Sequence, residues 1–511
     1  MLRQHRLSIH RKATILHNNL HGVDLDPQAV EITMMNLYLK ALENERDLPQ
    51  KQHLLPELGR NIRCGNSLIA PDIQQEQELS KEELRQLNPF DWHSKTDGFG
   101  DILATGSFDA VIGNPPYVSF GLRGVGHAEK SWASYIRKKF PNSAQYKLST
   151  YALFLDRAVQ LTRRGGHTSY ILPDSFLVGQ YFSKLRRSLL DSCRIKEIVL
   201  FAKDFWRSGM VGKPVIIVLQ RRPNQLSNRK NSLSATLALS PEDLVDGNVH
   251  SYSYSQSYFE SIHLNRFRLF FEPWAKSLVE KIESGSVRVG DLSSIHTGVR
   301  SKIGQKNIIA ETKKGSAWHK GIISGSQVTP FKVHWSGHYI NIKPRILWSG
   351  GWDPDVVNRK KVFIRQTGDS IVCSIDAQKL YHLNNVHSLV LRSKKVSLEF
   401  LAALLNSDLL NHFYQLVTLE YRRPMAQTDI ETLEQLPIRL PDNQIASKIE
   451  ALVRKLEKHA LSSSSFKQIK QKLNQLVTDL YELTPGERRT LAKRLTDPYN
   501  LDSLQSAKQE F

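Results

Sequence analysis

Short apolar runs alternate with amphipathic stretches from the N-terminus to about Arg222. Leu20–Asp24 is an apolar run that ends in an acid, and Gln28–Leu42 follows with helical spacing. Phe108–Gly113 predicts a second strand. Tyr151–Leu161 predicts an amphipathic helix, broken at Gly165-Gly166 before a strand over His167–Leu172. A helix near Tyr181–Leu190 and strands over Ile195–Phe201 and Pro214–Leu219 complete the series. Strands alternating with helices predict a doubly wound α/β sheet. The unbroken apolar run Val215–Leu219 suits a strand covered on both faces.

Pro223–Ser232 is polar and poor in apolar positions, which marks a boundary. Short strands, glycines and aromatics then dominate to about Leu440. From Gln444 the pattern is helical again, with Ile445, Ile449, Leu452, Val453 and Leu456 on one face. Phe466, Ile469, Leu473, Leu476, Val477 and Leu480 line a second helix. Thr484-Pro485-Gly486-Glu487 reads as a capping box opening a third. The expected organisation is an α/β domain over 1–222, a connecting region over 223–288, an α+β domain over 289–440 and a helical region over 441–511. The long stretch Pro71–Gly106 is expected to be a surface insertion, and the three cysteines (Cys64, Cys193, Cys373) small core residues.

Charge narrows the partner. Seventy Lys and Arg face fifty Asp and Glu, a formal net charge of +20. Such an excess favours a polyanion, because each neutralised phosphate releases condensed counterions, while a basic but unspecialised surface is the equally weighted alternative from charge alone. Three scattered thiols fit a reducing interior and show no metal-ligand spacing, so no metal is expected. No apolar run approaches the roughly 20 residues that span a bilayer. The basic N-terminus lacks the apolar segment of a secretory signal. The expectation is a cytoplasmic protein with no membrane partner.

The most specific chemistry is Asn114-Pro115-Pro116-Tyr117, directly after the strand Phe108–Gly113. Its bland reading is a Pro-Pro turn with Asn as a turn former. Its functional reading addresses an electronic problem. The exocyclic amine of adenine is a poor nucleophile because its lone pair is delocalised into the ring. The side-chain oxygen of Asn114 and the carbonyl of Pro115 can accept its two N–H groups and so localise that pair. Pro115 and Pro116 stiffen the loop, holding the acceptors in place before substrate arrives. Tyr117 offers a ring face for a base flipped out of the duplex. Orientation and electrostatics then replace a general base.

These four residues, and the motifs around them, resemble the adenine-specific amino-methyltransferases of restriction–modification systems. The similarity is to Eco57I-like and TaqI-like methylases with a specificity domain at the C-terminal end. The resemblance implies a Rossmann-like methyltransferase sheet followed by an α+β target-recognition domain, with S-adenosyl-L-methionine as cofactor and double-stranded DNA as partner. Gly22–Val30 resembles the family's second cofactor motif, which puts Asp24 on the ribose hydroxyls; Asp26 reads as a helix N-cap. Cys64-Gly65-Asn66-Ser67-Leu68 resembles the next motif, with Asn66 where an acid normally contacts the cofactor's adenine. An amide oxygen accepts that bond less strongly than a carboxylate. Lys203-Asp204-Phe205-Trp206 resembles the segment whose aromatic meets the flipped adenine, by spacing Phe205, against the plain reading of a core aromatic. Val289–Leu292, Thr297–Val299, Ile323–Val328 with Phe331, Leu398–Tyr414 and Leu436–Ile438 resemble the specificity domain. Arg359, Lys360, Lys361, Arg365 and the basic run Tyr421–Pro424 are candidate DNA contacts there, or plain surface charges.

The family's first motif is a glycine-rich turn that lets backbone amides approach the cofactor. Met1–Asn19 contain no glycine. The expectation is therefore an N-terminally incomplete catalytic domain. A partner chain or an upstream segment would supply the turn, and the chain alone would bind cofactor poorly. A non-catalytic DNA-binding specificity subunit and a protein glutamine methyltransferase are the alternatives.

Overall fold

The computed structural model describes residues 7–43, 57–120, 127–146, 148–203, 212–223, 231–348, 352–423 and 426–506. They form two compact units. The first holds most of the chain up to Phe267, and the second runs mainly from Arg268 to the C-terminus.

In the first unit, helix α1 (Ile9–Asn19) precedes strand β1 (Gly22–Asp24) and helix α2 (Pro27–Leu42). Asp26 caps α2 by accepting from the Gln28 amide at 2.9 Å, and Pro27 takes the first turn, where its missing N–H is not needed. Strand β2 (Ile62–Cys64) pairs with β1 in parallel, Asp24 opposite Cys64. After them come β3 (Phe108–Gly113), α3 (Thr150–Leu161), β4 (Thr162–Pro173), α4 (Ser183–Ser192), β5 (Cys193–Phe201) and β6 (Pro214–Arg221). β4 pairs with β3 in parallel and with β6 antiparallel, and β6 pairs antiparallel with β5. This is the Rossmann-like arrangement the resemblance implies, closed by antiparallel pairing around β6. α4 is anchored by Arg186, whose buried guanidinium donates to the carbonyls of Phe176, Gly179, Leu264 and Asn265 at 2.8–2.9 Å. A buried cation is tolerable only when its donors are met in this way.

Three expectations need correction. Gly165-Gly166 does not separate helix from strand, because β4 already starts at Thr162, opposite Phe108, and pairing resumes at His167 opposite Ala110. Gly165 supplies the irregularity with φ +80°, and a Cβ on Gly166 would stand 2.6 Å from the Asp109 carbonyl. The stretch Pro71–Gly106 is not a surface excursion. Ile73, Phe90 and Phe99 are buried, and Phe99 meets the rings of His21 and Phe108 at 5.3 and 5.8 Å. Its Phe99 thus packs between the residue before β1 and the first residue of β3. Cys64 is exposed, since it ends β2 at the sheet's carboxyl edge, while Cys193 and Cys373 are buried.

The second unit holds a four-stranded antiparallel sheet, β7 (Ser293–Thr297), β11 (Lys361–Arg365), β12 (Cys373–Asp376) and β14 (Val386–Leu391), in the order β7-β14-β11-β12. A smaller sheet contains β8 (Ile309–Ala310), β9 (Trp318–Ile322), β10 (Tyr339–Asn341) and β13 (Tyr381–His382), in the order β8-β10-β9-β13. Helices α5 (Leu398–Leu405) and α6 (Asp408–Thr418) are almost wholly buried. α7 (Asn443–Leu456) buries Ile449, Val453 and Leu456, and α8 (Ser464–Leu480) buries Phe466, Leu473, Val477 and Leu480. α9 (Pro485–Arg494) opens on the expected capping box: Thr484 Oγ1 accepts from the Glu487 amide, and Glu487 Oε2 accepts from the Thr484 amide at 2.7 Å.

Two buried histidines tie this unit's stability to pH. Burial, reinforced by Lys361, lowers the His382 pKa from 6.5 to about 3; burial, with Arg494 adding to it, lowers His412 to about 4. Between those values and 6.5 the unfolded chain binds more protons than the folded one. Their stabilisation is therefore complete above about pH 6.5 and is lost as pH falls toward 4, by up to about 1.4 kcal/mol per pH unit for each group. Urea melts at pH 7.5, 5.5 and 4.5 should show this slope. A double variant, His382→Gln with His412→Gln, should flatten it; parallel wild-type and variant profiles would refute the assignment.

Candidate active site

The first unit contains a cavity of about 1000 Å³. Its lining includes Gly22–Leu25 from β1, Gly65–Ile69 after β2, Val111–Val118 from β3 and its following loop, and Thr150, Leu153 and Phe154 from α3. Asp24, Asn66 and Asn114–Tyr117 thus share one cavity. Their positions follow from topology: β1, β2 and β3 all deliver their carboxyl ends to this edge, where open α/β sheets hold ligands. Phe205 and Trp206 lie outside the described residues.

The Asn114–Tyr117 loop is built tightly. Gly113 is needed just before it, because a Cβ there would stand 2.7 Å from the Tyr170 ring. Burial pushes that tyrosine's pKa up to about 12. Pro115 is buried, while Asn114 and Pro116 are exposed to the cavity side. Tyr117 Oη lies 2.6 Å from Asn114 Oδ1 and 3.0 Å from the Ile171 carbonyl, so its single proton serves one of them at a time. Burial raises the Tyr117 pKa, which keeps that hydroxyl a donor at neutral pH. Its ring sits 6.2 Å from that of Tyr151.

Thr150 is a residue the sequence did not single out. Its hydroxyl bonds the Pro116 carbonyl, lies 2.9 Å from the Val118 carbonyl and accepts from the Val118 amide at 3.1 Å. The Thr150 amide donates to the Val118 carbonyl at 3.0 Å. The loop is therefore tied to the start of α3 by one side chain. Helical periodicity showed α3 but could not show that its first hydroxyl reaches back across 34 residues.

Asp24 is exposed at the end of β1. Its Oδ1 accepts from the Asp26 amide at 2.9 Å and its carbonyl from the Gly65 amide at 2.8 Å. This turn leaves carboxylate lone pairs available to hydroxyl donors. Asn66 Oδ1 accepts from the Leu68 amide at 3.1 Å, an Asx-type turn that fixes the side chain. The oxygen keeps a second lone pair. Both groups present oxygen acceptors that suit hydroxyl or amine donors of a ligand. No glycine-rich turn for the methionine end of S-adenosyl-L-methionine is found among the lining residues.

The surroundings of the cavity are incompletely covered. Among the described residues β1 pairs only with β2, and β3 is the terminal strand of its sheet, so each offers an unpaired edge. Ile112 in β3 is 85% exposed. On α2, Ile32, Met35 and Leu39 are 53–58% exposed at helical spacing i, i+3, i+7. Opposite them Met34, Leu37 and Tyr38 pack on Leu16, Ala41 and Leu58.

In the second unit, the cations the sequence nominated serve mainly structural roles. Lys361 is fully buried and bonded to Asp376 at 2.6 Å, a correction forced by its place inside the sheet. Arg365 donates to the carbonyls of Gly325 and Val328 at 3.1 and 2.7 Å. Arg359 donates to the Leu391 carbonyl, Lys360 pairs with Glu399 at 2.7 Å, and Arg423 with Glu420 at 2.8 Å. Arg422 stays exposed beside the Tyr421 ring, and Pro424 lies outside the described residues.

Comparison with known proteins agrees with this architecture. Residues 18–206 match the family model described as Eco57I restriction-modification methylase, and residues 320–438 the TaqI-like C-terminal specificity domain. The Escherichia coli protein called type II restriction enzyme and methyltransferase RM.Eco57I is 28% identical over 199 residues, covering 39% of this chain and 18% of that protein. The Thermus thermophilus type II methyltransferase M.TthHB8I is 35% identical over 89 residues, 16% of this chain and 20% of that one. The chain thus spans about a fifth of the length of these relatives. Among solved structures, the type IIL restriction-modification enzyme MmeI in complex with DNA aligns with a TM-score of 0.53 at 12% identity, covering 98% of this chain and 75% of that chain, which supports the fold. The chain therefore carries an Eco57I-like restriction-modification methylase domain over residues 18–206, followed in sequence by a TaqI-like C-terminal specificity domain over residues 320–438.

Proposed function

We propose that this protein is the methylating part of a restriction–modification system, acting on the N6 amine of an adenine flipped out of duplex DNA. The observation that carries the reading is the shared cavity, which places the Asn114–Tyr117 loop beside Asp24 and Asn66. When bound, S-adenosyl-L-methionine supplies an electrophilic methyl group. Asp24 would hold its ribose hydroxyls, and Asn66 would accept from its adenine amine. Asn114 Oδ1 and the Pro115 carbonyl accept the two N–H groups of the target amine and turn its lone pair toward the methyl group. Thr150 and the two prolines hold these acceptors fixed, so no reorganisation is needed as charge develops. Tyr117, and Phe205 by the family resemblance, stack on the extruded base.

The unpaired edges of β1 and β3 and the bare stripe of α2 favour a second component. We read them as the seat of a further strand and its glycine-rich turn, contributed by a partner component. Without it, cofactor affinity should be weak. This observation keeps open the reading of the chain as a DNA-binding specificity subunit.

The test is nucleoside analysis of duplex DNA incubated with S-adenosyl-L-methionine and the protein, with and without the segment that carries the glycine-rich turn. N6-methyladenine is the expected product. Methylation of a protein glutamine with unmodified DNA would establish the glutamine alternative. DNA binding with no methylation under either condition would leave the specificity subunit.

A further inference from the structure

Residues 300–352 carry nine Lys and Arg (Arg300, Lys302, Lys306, Lys313, Lys314, Lys320, Lys332, Lys343, Arg345) against one acid, Glu311. They belong to the β8-β10-β9 part of the second unit, whose core is Val299, Ile308, Ile340, Leu347 and Leu383. Eight of the nine are exposed, and Lys332 is half-buried. None forms an ion pair among the described residues, in contrast to Lys360, Lys361 and Arg423. Apart from Lys313-Lys314 these cations are scattered singly along the sequence, so they do not stand out locally as Arg359–Lys361 and Arg422–Arg423 do.

Four of the chain's eight tryptophans, Trp318, Trp335, Trp348 and Trp352, lie in the same segment. Three of them hold lysines. Lys320 Nζ stands 4.5 Å from the centre of the Trp335 ring, Lys302 Nζ 5.4 Å from Trp348, and Lys314 Nζ 5.7 Å from Trp318. An indole face attracts an ammonium without neutralising it and restricts its side chain. Each lysine is therefore steered yet still charged and open to water. The strand register spreads these groups: Lys320 lies opposite Tyr339, and Trp318 opposite Asn341. Trp348 is joined through its amide to the Arg300 carbonyl on the adjoining segment.

We propose that this lobe is the surface that tracks the phosphate backbone of duplex DNA, with Lys302, Lys314 and Lys320 as its ordered contacts. A small anion would call for converging donors in one pocket. Here the cations are distributed over a sheet and its loops, which suits an extended polyanion. The proposal rests on DNA being the substrate, but not on which base is methylated or on whether the chain is active.

The test is fluorescence anisotropy of the full 511-residue chain with a labelled duplex at several salt concentrations. The variant combines Lys302→Gln, Lys314→Gln and Lys320→Gln; Lys360→Gln, whose cation is held by Glu399, is the control. Each lost phosphate contact removes about 0.9 from the slope of log K against log salt, so the triple variant should lower the slope by about 2.7. Its affinity near 0.1 M salt should fall at least tenfold, with an unchanged melting curve and an unchanged control. A slope equal to wild type would overturn the surface assignment while leaving the methylase reading intact. No duplex binding by the wild-type chain would instead sink the DNA reading itself. Stronger binding to single-stranded RNA than to duplex DNA would overturn the choice of partner.

Discussion

Asn114→Ala is expected to lower methyl transfer by about 10²–10³-fold, the usual loss when one preorganised polar group of an active site is removed. The measurement is single-turnover methylation with the glycine-rich segment supplied. In the folded protein Asn114 Oδ1 is 2.6 Å from the Tyr117 hydroxyl, which fixes the amide's orientation. Alanine removes the acceptor and also frees Tyr117 to bond the Ile171 carbonyl alone, 3.0 Å away. No buried group is stranded, so the fold should survive. Duplex binding should stay within a few-fold of wild type, because Asn114 is not among the phosphate-binding cations. Equal loss of methylation and DNA binding would point to unfolding and defeat the assignment. Full activity in the alanine variant would remove Asn114 from the chemistry altogether.

Asp376→Ala should destabilise the second unit by about 3–5 kcal/mol, since it leaves a buried charge without its partner. Lys361 and Asp376 have side chains with no exposure to solvent. Burial pulls the Lys361 pKa down and Asp376 holds it up. Once Asp376 is gone, the amine keeps the Val357 carbonyl at 3.0 Å and the Phe363 ring face at 5.1 Å, neither of which carries a negative charge. The Gln378 and Leu380 amides also lose their acceptor, now at 2.8 and 3.0 Å. Replacing both partners with apolar residues (Lys361→Met with Asp376→Leu) should recover much of the loss in urea titrations. Lys360→Ala, one residue earlier and exposed, should change stability by less than about 1 kcal/mol. A small effect of Asp376→Ala, comparable to that of Lys360→Ala, would show that the pair is solvated in solution.

This pair illustrates what the sequence could not supply. Lys360 and Lys361 read identically as neighbouring cations beside apolar residues, yet β11 begins only at Lys361 and is buried on both faces there. One reaches solvent and Glu399; the other is enclosed with Asp376, 15 residues away. The same limit applied to Pro71–Gly106. It read as a surface insertion, but the packing of Phe90, Trp92 and Phe99 depends on the rings of His21 and Phe108 beside them. Cys64 read as a core thiol for the opposite reason, because nothing local showed that β2 ends at an open edge.

By itself the sequence determined the local elements and singled out the loop. Phe108–Gly113, the helix after Thr150 and the capping box at Thr484 were legible because periodicity and capping depend on residues within a few positions of one another. Asn114-Pro115-Pro116-Tyr117 was legible because its stiffness and acceptors are covalent properties of four consecutive residues. Tertiary structure alone decided that Asp24, Asn66 and this loop share one cavity, that Thr150 ties the loop down, and which cations remain free to meet an anion. Those outcomes are set by strand pairing and burial between residues far apart in the chain, and the desolvation that consumes one lysine and spares another has no counterpart in local sequence.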